Sequence, residues 1–488
     1  MVQAALLTLA LTATTASEID ERVERVVSGL LPETALRNRW GAPARLSDRM
    51  ASSHTPGVSI AVVNDGRIEW ARAFGFAEAG KPVTERTLFQ AGSISKPIFA
   101  LAAVRLAQEG KLSLDEDVGA YLKSWKVPAT GRFQPRTTLR QLLTHSAGLT
   151  VHGFPGYGTD EPLPTVVQVL DGSPPANTDP VRVNILPGVQ FRYSGGGITV
   201  AQLAITDLLG RPFSQLMREL ILDPIGMADS TYEQPLPPIL AGRAATAHPW
   251  KGRPLPGRWH VYPEMAAAGL WTTPSDLARA GIEVQKALKG ESAVLAREGA
   301  AEMLTPQIQD DMGIGFFLEG KGETLRFGHG GWDEGFVAKA LFYRERGQGA
   351  VVMVNSNEGA GILDEVLRAV AKEYAWPAFF EEEKKPAAVA ATILDGYAGD
   401  YTGKFGLRVR VAREGDAVSL KVGEQPAITL RPESDVRFFS ADLDTAVSFQ
   451  KNEGGDVTAL TLDQGGRQIS AERASTPVAK AFDPRSDR

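Results

Sequence analysis

Alternating apolar and polar positions predict strands at both ends of the first 375 residues, with helical patterns between them. Residues 57–63 and 67–76 are predicted as two strands, joined by a hairpin turn at 64–66. Further strand patterns occur at 313–318, 325–329, 335–343 and 349–355. This arrangement predicts one sheet that both ends of the segment share and that helices cover.

Helical patterns fill the region between these strands. A Ser-Glu-Ile-Asp capping box at 17–20 predicts the start of a helix that ends near Leu30. The other predicted helices are 100–107, 137–144, 198–208, 212–221, 274–288 after a Thr273 cap, and 362–374. Residues 151–189 are rich in Gly, Pro and Asp, which is typical of a long surface excursion.

The pattern changes after residue 380. Residues 381–391 read EEEKKPAAVAA, a composition that is typical of a linker. Short strand patterns then follow at 407–412, 417–422, 427–431, 437–440, 446–450, 458–462 and 468–472. Their spacing of about ten residues predicts a small antiparallel barrel or sandwich. The predicted divisions are a first domain at 17–380, a linker at 381–395, a barrel domain at 396–475 and a tail at 476–488.

The N-terminus allows two interpretations. An apolar run at 4–13 is followed by ATTA at 13–16, which resembles a small-residue cleavage site. Residues 1–16 are therefore predicted as a signal peptide, and the protein as periplasmic or secreted. No Lys or Arg precedes the run, so an N-terminal arm or helix of a cytoplasmic protein is the alternative. No later segment has the length and apolarity of a membrane span, so no stable membrane insertion is expected.

Composition narrows the chemistry further. The 488 residues include no cysteine, which excludes disulfides, thiolate nucleophiles and cysteine-based metal sites. The formal net charge of −6 and the lack of a basic stripe argue against a nucleic-acid partner. The 6 histidines are scattered, and no Walker or dinucleotide-binding loop occurs, so no metal or other cofactor is expected. The sequence leaves the oligomeric state open.

The most informative segment is 88–97, LFQAGSISKP, where a short apolar strand gives way to a helix. Proline is tolerated in a first helical turn, so Pro97 places Ser93 at a helix N-terminus. Positions i and i+3 share a helix face, so the Lys96 amine can reach the Ser93 hydroxyl. A lysine can take the serine proton and so activate the nucleophile, and the helix N-terminus favours a developing oxyanion.

Two further segments carry candidate chemistry. Residues 191–196, FRYSGG, place Tyr193 at a loop apex, where flanking cations would favour its phenolate form as a base. Residues 327–332, FGHGGW, end a predicted strand, and their glycines and exposed N–H groups suit an oxyanion hole. A second S-x-x-K pattern at 448–451 lies among the predicted barrel strands and is interpreted as a coincidence.

In this order, the three segments resemble the serine β-lactamase and penicillin-binding-protein superfamily, in particular class C β-lactamases, family VIII carboxylesterases and D-aminopeptidases. The segments at 142–149, 224–227 and 268–270 are also similar to that family, and the resemblance covers roughly residues 40–375. It implies an α+β, β-lactamase-like transpeptidase fold, in which helices flank an antiparallel sheet beside an α-helical region. The C-terminal part resembles the small all-β, lipocalin-like barrel that many members append.

The resemblance also implies a role for each candidate residue. Ser93 would be the acylated nucleophile, and Lys96 and Tyr193 would share the general-base and general-acid work. The N–H groups of Ser93 and Trp332 would form the oxyanion hole, and His329 stands where the family has Lys or His. The residues expected to contact the substrate are Gly195, Gly330 and Gly331.

Two positions depart from the family pattern. The residue two after Tyr193 is usually Asn, which braces the lysine and holds a substrate amide, but here it is Gly195. The Lys-Thr-Gly of true β-lactamases is His-Gly-Gly at 329–331, so a permanent cation is replaced by a group mostly neutral at pH 7. A serine hydrolase of small carboxylic esters is therefore favoured. A D-stereospecific aminopeptidase or amidase and a β-lactamase, acting on peptide-like or β-lactam substrates, are the alternatives.

Two competing interpretations fit the sequence less well. A Ser-His-Asp hydrolase needs G-x-S-x-G, and the nearest segment, THSAG at 144–148, lacks the first glycine, so His145 is interpreted as a structural loop histidine. A non-catalytic module that binds peptidoglycan or peptides should have lost Ser93, Lys96 or Tyr193, and all three are present. The C-terminal module is expected to be a separable accessory, either a stabilising appendage or an element that narrows access to Ser93.

Overall fold

The computed structural model describes most of the chain. The described residues are 15–31, 34–36, 43–309, 311–379, 382–384, 386–403, 407–423, 425–440, 443, 445–464 and 467–474. The predicted signal peptide, apart from its last two residues, and the predicted tail at 476–488 lie outside these ranges.

The described residues form two compact units. The first comprises the described parts of Met1–Gly29 and Arg45–Phe379, and the second those of Leu30–Ala44 and Phe380–Arg488. The predicted domain boundaries stay predictions, and they differ from this division at Leu30–Ala44, which the sequence assigned to the first domain. The difference arises because the strand at 34–36 pairs in parallel with the strand at 382–384 of the second unit.

Both units contain α-helices and β-strands. The helices are α1 (Ala16–Val27), α2 (Leu46–Ser52), α3 (Ser95–Gln108), α4 (Leu139–Leu143), α5 (Val166–Asp171), α6 (Gly195–Leu209), α7 (Phe213–Met217), α8 (Pro238–Ala241), α9 (Met265–Ala268), α10 (Pro274–Lys289), α11 (Arg297–Met303), α12 (Ala360–Glu373) and α13 (Ala391–Tyr397). The strands are β1 (Thr34–Leu36), β2 (Gly57–Asn64), β3 (Arg67–Glu78), β4 (Lys81–Pro82), β5 (Phe89–Gln90), β6 (Trp271–Thr272), β7 (Phe317–Glu319), β8 (Arg326–Asp333), β9 (Phe336–Tyr343), β10 (Gly349–Val354), β11 (Glu382–Lys384), β12 (Gly399–Gly403), β13 (Arg408–Glu414), β14 (Ala417–Val422), β15 (Ile428–Pro432), β16 (Arg437–Ser440), β17 (Thr445–Lys451), β18 (Val457–Gln464) and β19 (Arg467–Arg473).

A seven-stranded antiparallel sheet organises the first unit, in the order β4-β3-β2-β10-β9-β8-β7. The predicted sharing of one sheet by both ends of this part is therefore confirmed. Helices cover both faces of the sheet. On β9, Lys339 donates a 2.6 Å hydrogen bond to Asp364 of α12, whereas the Phe342 ring lies against Gly281 of α10. Residues three apart on a strand point to opposite faces, so α10 and α12 lie on opposite sides of the sheet.

Most predicted helices are present, with shifted ends. The cap of α10 by Thr273 is confirmed, since its Oγ1 accepts from the Asp276 N–H at 3.3 Å. The capping box of α1 is formed by Thr15 and Glu18 rather than by the predicted residues 17–20. Helix α6 begins three residues earlier than predicted, because Ser194 caps it. Among the described residues, no helix combines the length and apolarity that crossing a membrane requires.

The second unit contains a closed antiparallel barrel of eight strands, β12 to β19. Seven of them overlap the predicted strands. Strand β12 was missed, because its sequence Gly-Asp-Tyr-Thr-Gly is a poor strand former, yet it pairs with both β13 and β19 and so closes the barrel. Aliphatic and aromatic side chains form the core of this unit, where the Tyr397 ring stacks on the Phe449 ring with centroids 4.0 Å apart. The predicted linker at 381–395 contains β11 and the first part of α13.

Candidate active site

Ser93 lies where strand β5 leads into helix α3. The connection is a 3-10 turn, Gly92–Ile94, called the Ser93 turn below. Gly92 has a φ of +50°, and a Cβ at this position would lie 2.4 Å from the Trp332 nitrogen, so a side chain would clash. Helix α3 is buried along most of its length, which anchors the turn in the core, while Ser93 itself is only half-buried.

Lys96 is one helical turn after Ser93 and points back to it. Its Nζ lies 2.8 Å from the Ser93 Oγ and donates a second hydrogen bond, also 2.8 Å long, to the carbonyl oxygen of Ala267. The Lys96 residue is 2% exposed. The structure therefore forms the predicted Ser93–Lys96 pair, and a carbonyl from a distant segment fixes the direction of the amine.

Tyr193 reaches the same place from the start of α6. Its ring centroid lies 5.0 Å from the Lys96 Nζ, a cation–π distance. The following residue, Ser194, holds the loop because its side chain accepts a 2.9 Å hydrogen bond from the first turn of α6. The Tyr193 ring also packs against His145 and His152, with centroid distances of 4.2 and 4.7 Å. The three main catalytic candidates thus lie together.

The end of β8 lies directly against the Ser93 turn. Strand β7 pairs with Arg326–Gly328, the first three residues of β8. The later residues of β8 extend past β7 and face the Ser93 turn. A Cβ on Gly331 would lie 1.9 Å from the Ala91 carbonyl oxygen, so this glycine permits close backbone contact. The Trp332 backbone is thereby placed beside the turn, the arrangement that an oxyanion hole made of the Ser93 and Trp332 N–H groups requires.

His329 provides no cation to this site. It is 6% exposed, its Nδ1 is hydrogen-bonded to the Gly330 carbonyl, and its buried Nε2 has no hydrogen-bond partner among the described residues. Burial, with the nearby charge of Lys96, lowers the pKa of His329 to about 3. The imidazole is therefore neutral at physiological pH. Its pKa lies much further below this pH than the ordinary histidine pKa used in the sequence analysis.

The three glycines predicted to contact substrate differ in their surroundings. A Cβ at Gly195 would lie 3.0 Å from the Phe154 ring and 3.1 Å from the His152 carbonyl oxygen. Phe154 thus crowds the position where the family usually has asparagine. Gly331 is used for backbone packing. Gly330 is exposed, and a Cβ there would have its nearest neighbour 3.9 Å away, so Gly330 leaves room beside the strand.

The second S-x-x-K pattern and the segment that resembles a nucleophile elbow have other partners in the structure. Ser448 accepts a 3.3 Å hydrogen bond from Arg437, and the Nζ of Lys451 lies 5.1 Å from the Tyr397 ring centroid. Both belong to strand β17, where the i, i+3 relation does not bring side chains to one helix face. Ser146, in the segment that resembles a nucleophile elbow, is hydrogen-bonded to Thr144 at 3.0 Å.

Two buried carboxyl groups close to the site were not identified from the sequence. Asp333 is 3% exposed, and its Oδ2 has no hydrogen-bond partner among the described residues. Glu264 lies just before α9. Neither of its carboxyl oxygens has a hydrogen-bond partner among the described residues. Burial raises the pKa of both, to about 7 for Glu264. The signals in the sequence were their neighbours: Asp333 directly follows the candidate segment 327–332, and Glu264 lies shortly before the family-like segment 268–270.

Glu264 is expected to make the free energy of unfolding fall as the pH rises from about 4.5 to about 7. In this interval the folded chain keeps a proton on Glu264 that the unfolded chain has lost, so stability declines with pH. A pKa difference of roughly 2.5 units corresponds to about 3 kcal/mol. Urea unfolding of the wild type and of Glu264→Gln across this interval measures the effect. The difference between the two proteins should change with pH, and a constant difference would contradict the raised pKa.

Comparison with protein families gives two matches. The family model described as Beta-lactamase matches residues 43–375. The model of a domain of unknown function, DUF3471, matches residues 383–474, the region of the barrel.

Individual relatives include an esterase and a penicillin-binding protein. Esterase EstB from Burkholderia gladioli is 30% identical over 184 residues, which are 36% of this chain and 46% of EstB. Penicillin-binding protein 4* from Bacillus subtilis (strain 168) is 22% identical over 453 residues, 87% of this chain and 96% of that protein. The match therefore spans less than half of EstB but nearly all of penicillin-binding protein 4*.

Solved structures share the fold. The octameric penicillin-binding protein homologue from Pyrococcus abyssi is 23% identical with a TM-score of 0.60, covering 87% of this chain and 98% of that one. Beta-lactamase/D-alanine carboxypeptidase from Yersinia pestis is 20% identical with a TM-score of 0.52, covering 67% of this chain and 95% of that one. At these identities the likeness establishes the fold alone. It confirms the predicted transpeptidase-type architecture.

Proposed function

The chain belongs to the beta-lactamase family of serine hydrolases, and we propose that it cleaves small carboxylic esters through an acyl-enzyme on Ser93. The observation that carries the proposal is the 2.8 Å contact between the Lys96 Nζ and the Ser93 Oγ. A basic group within hydrogen-bond reach of a hydroxyl can take its proton as the hydroxyl attacks.

Acylation would proceed by attack of the Ser93 Oγ on the ester carbonyl carbon. For this step Lys96 must be in its uncharged amine form: its nitrogen lone pair takes the serine proton, and the carbonyl electron pair moves onto oxygen. The N–H groups of Ser93 and Trp332 stabilise the resulting oxyanion. When the tetrahedral intermediate collapses, the bond to the alcohol oxygen breaks, and the departing oxygen takes a proton from the Lys96–Tyr193 pair.

Deacylation would repeat these steps with water in place of the alcohol. Water loses a proton to the Lys96–Tyr193 pair as its oxygen bonds to the acyl carbon. The bond between the acyl carbon and the Ser93 Oγ then breaks, the carboxylic acid leaves, and the serine regains its proton. The shared role is supported by the position of the Lys96 Nζ, which lies over the Tyr193 ring at 5.0 Å from its centroid.

Two features of the site favour esters over β-lactams. A β-lactam carboxylate would gain from a fixed cation, and the buried, neutral His329 supplies none. An amide substrate would gain from a side-chain amide two residues after Tyr193, but Gly195 has no side chain and the Phe154 ring crowds this position. An ester needs neither interaction, and its alcohol leaving group requires less protonation than an amine.

A substrate panel tests this preference. We expect kcat/KM for p-nitrophenyl acetate or butyrate to exceed that for nitrocefin and for D-amino-acid p-nitroanilides by at least about 10-fold, a difference of roughly 1.4 kcal/mol in transition-state stabilisation. The rates of Ser93→Ala, measured in parallel, are subtracted to correct for non-enzymatic hydrolysis and for contaminating enzymes. A kcat/KM for nitrocefin above that of every short-chain ester would refute the proposed preference.

A D-stereospecific aminopeptidase or amidase is the second candidate. The match to penicillin-binding protein 4*, which extends over 96% of that protein, relates the chain to proteins other than esterases. The same panel, extended by L-amino-acid p-nitroanilides, distinguishes the two candidates. For an aminopeptidase or amidase of this kind the D-enantiomers would be the best substrates and the L-enantiomers poor ones.

A further inference from the structure

His145 contacts the Tyr193 segment at three points. Its carbonyl oxygen accepts a 2.7 Å hydrogen bond from the Arg192 N–H, and its Nδ1 accepts a 3.1 Å hydrogen bond from the Ser194 N–H. Its ring packs on the Tyr193 ring, with centroids 4.2 Å apart and planes inclined by 32°. One buried residue therefore holds Tyr193 and both of its neighbours in the chain.

The other contacts of Tyr193 show what this arrangement positions. The Lys96 Nζ lies 5.0 Å from the centroid of the same tyrosine ring. The same Nζ donates a hydrogen bond to the Ser93 Oγ. A shift of the Tyr193 loop would therefore alter the geometry of the proton-transfer groups. We infer that His145 is a positioning residue that sets the place of Tyr193 against Lys96. This inference rests on the proposed function, because it concerns proton transfer to and from Ser93.

The chemistry of the ring suits this role. Because Nδ1 accepts from a backbone N–H, the ring proton must be on Nε2 and the imidazole must be neutral. Burial, together with the nearby charge of Lys96, lowers the pKa of His145 well below its usual value, so the accepting form persists. A lysine or arginine at this position has no acceptor and could not replace it.

The backbone of His145 indicates which substitutions are informative. Its φ of +56° lies in the left-handed region, which Gly and Asn tolerate better than most residues. His145→Asn places Oδ1 where Nδ1 was, so it keeps the acceptor without the ring. His145→Phe keeps the ring without the acceptor. His145→Gly removes both and relieves the backbone.

The experiment measures kcat and KM with p-nitrophenyl butyrate, and the rate at which a fluorophosphonate labels Ser93, each per titratable active site. We expect His145→Gly to lower kcat and the labelling rate by about 10²-fold with KM within about twofold, since small displacements of reacting groups have effects of this size. His145→Asn should have a kcat and a labelling rate at least about tenfold higher than those of His145→Gly. The matched control is His248→Asn, another buried histidine, whose Nδ1 is 3.0 Å from the Asn355 carbonyl oxygen and whose replacement should leave kcat unchanged.

A His145→Gly protein with wild-type kcat and labelling rate would overturn the inference, whatever its melting temperature. An Asn variant no faster than the Gly variant would overturn it as well. If His145→Gly does not fold, His145→Phe decides, with an expected loss of about tenfold in kcat, and unchanged kcat would count against the inference. If the wild type hydrolyses no ester, the proposed function fails separately, and the labelling rates still test His145.

Discussion

Replacing Ser93 by alanine is expected to lower kcat for ester hydrolysis by at least about 10³-fold and to abolish covalent labelling by a fluorophosphonate. The expectation follows from the position of the Ser93 Oγ, half-buried at the start of α3 and 2.8 Å from the Lys96 Nζ. Without the Oγ no acyl-enzyme can form, while the oxyanion-hole backbone and the binding surface stay in place. Hydrolysis rates and mass spectrometry of the labelled peptide measure the two effects.

The chain offers a matched control for this experiment. Ser448 begins the second S-x-x-K pattern, but it accepts a hydrogen bond from Arg437 on a barrel strand. Ser448→Ala should therefore retain full activity and full labelling at Ser93. Recovery of the label on Ser146 or Ser194 in the wild type would show that the nucleophile has been assigned to the wrong serine.

Lys96→Met and Tyr193→Phe are each expected to lower kcat by several orders of magnitude, and the double variant by little more than the more damaging single change. The reason is that residues acting as one unit in proton transfer lose most of their effect when either is removed. Methionine keeps the aliphatic volume of the buried lysine without its amine. Phenylalanine keeps the ring contacts with Lys96 and His145 and removes only the hydroxyl.

The readout is the coupling between the two changes, from kcat and from the single-turnover rate of acylation. Lys451→Met, at the second S-x-x-K pattern, serves as the control and should behave as wild type, because the Lys451 Nζ lies over the Tyr397 ring in the barrel. If the effects of Lys96→Met and Tyr193→Phe simply multiply, the two residues act independently and the shared role is wrong.

Local geometry could be predicted from the sequence. The contact between Ser93 and Lys96 follows from the spacing of one helical turn. The hairpin of β2 and β3 and the cap of α10 at Thr273 are also encoded within a few residues, and all three are present in the structure. The overall architecture was predictable because strand patterns flanked helical ones.

Contacts between distant segments could not be predicted in this way. Ala267 directs the Lys96 amine, and His145 holds Tyr193, yet the sequence around neither residue predicts which distant residue it contacts. Strand β12 has a composition that disfavours strands and is formed because both neighbouring strands of the barrel need a partner. In each case the partner comes from another part of the chain.

The sequence was sufficient to place Ser93 and Lys96 in contact, since four residues of helical backbone define their separation. The neutral state of His329 and the crowding of Gly195 by Phe154 result from contacts that form only in the folded chain. A pKa of about 3 at His329 arises from the removal of water from around the ring, together with the nearby Lys96 charge. Desolvation and contact depend on which distant segments pack together, and neighbouring residues along the chain do not specify that.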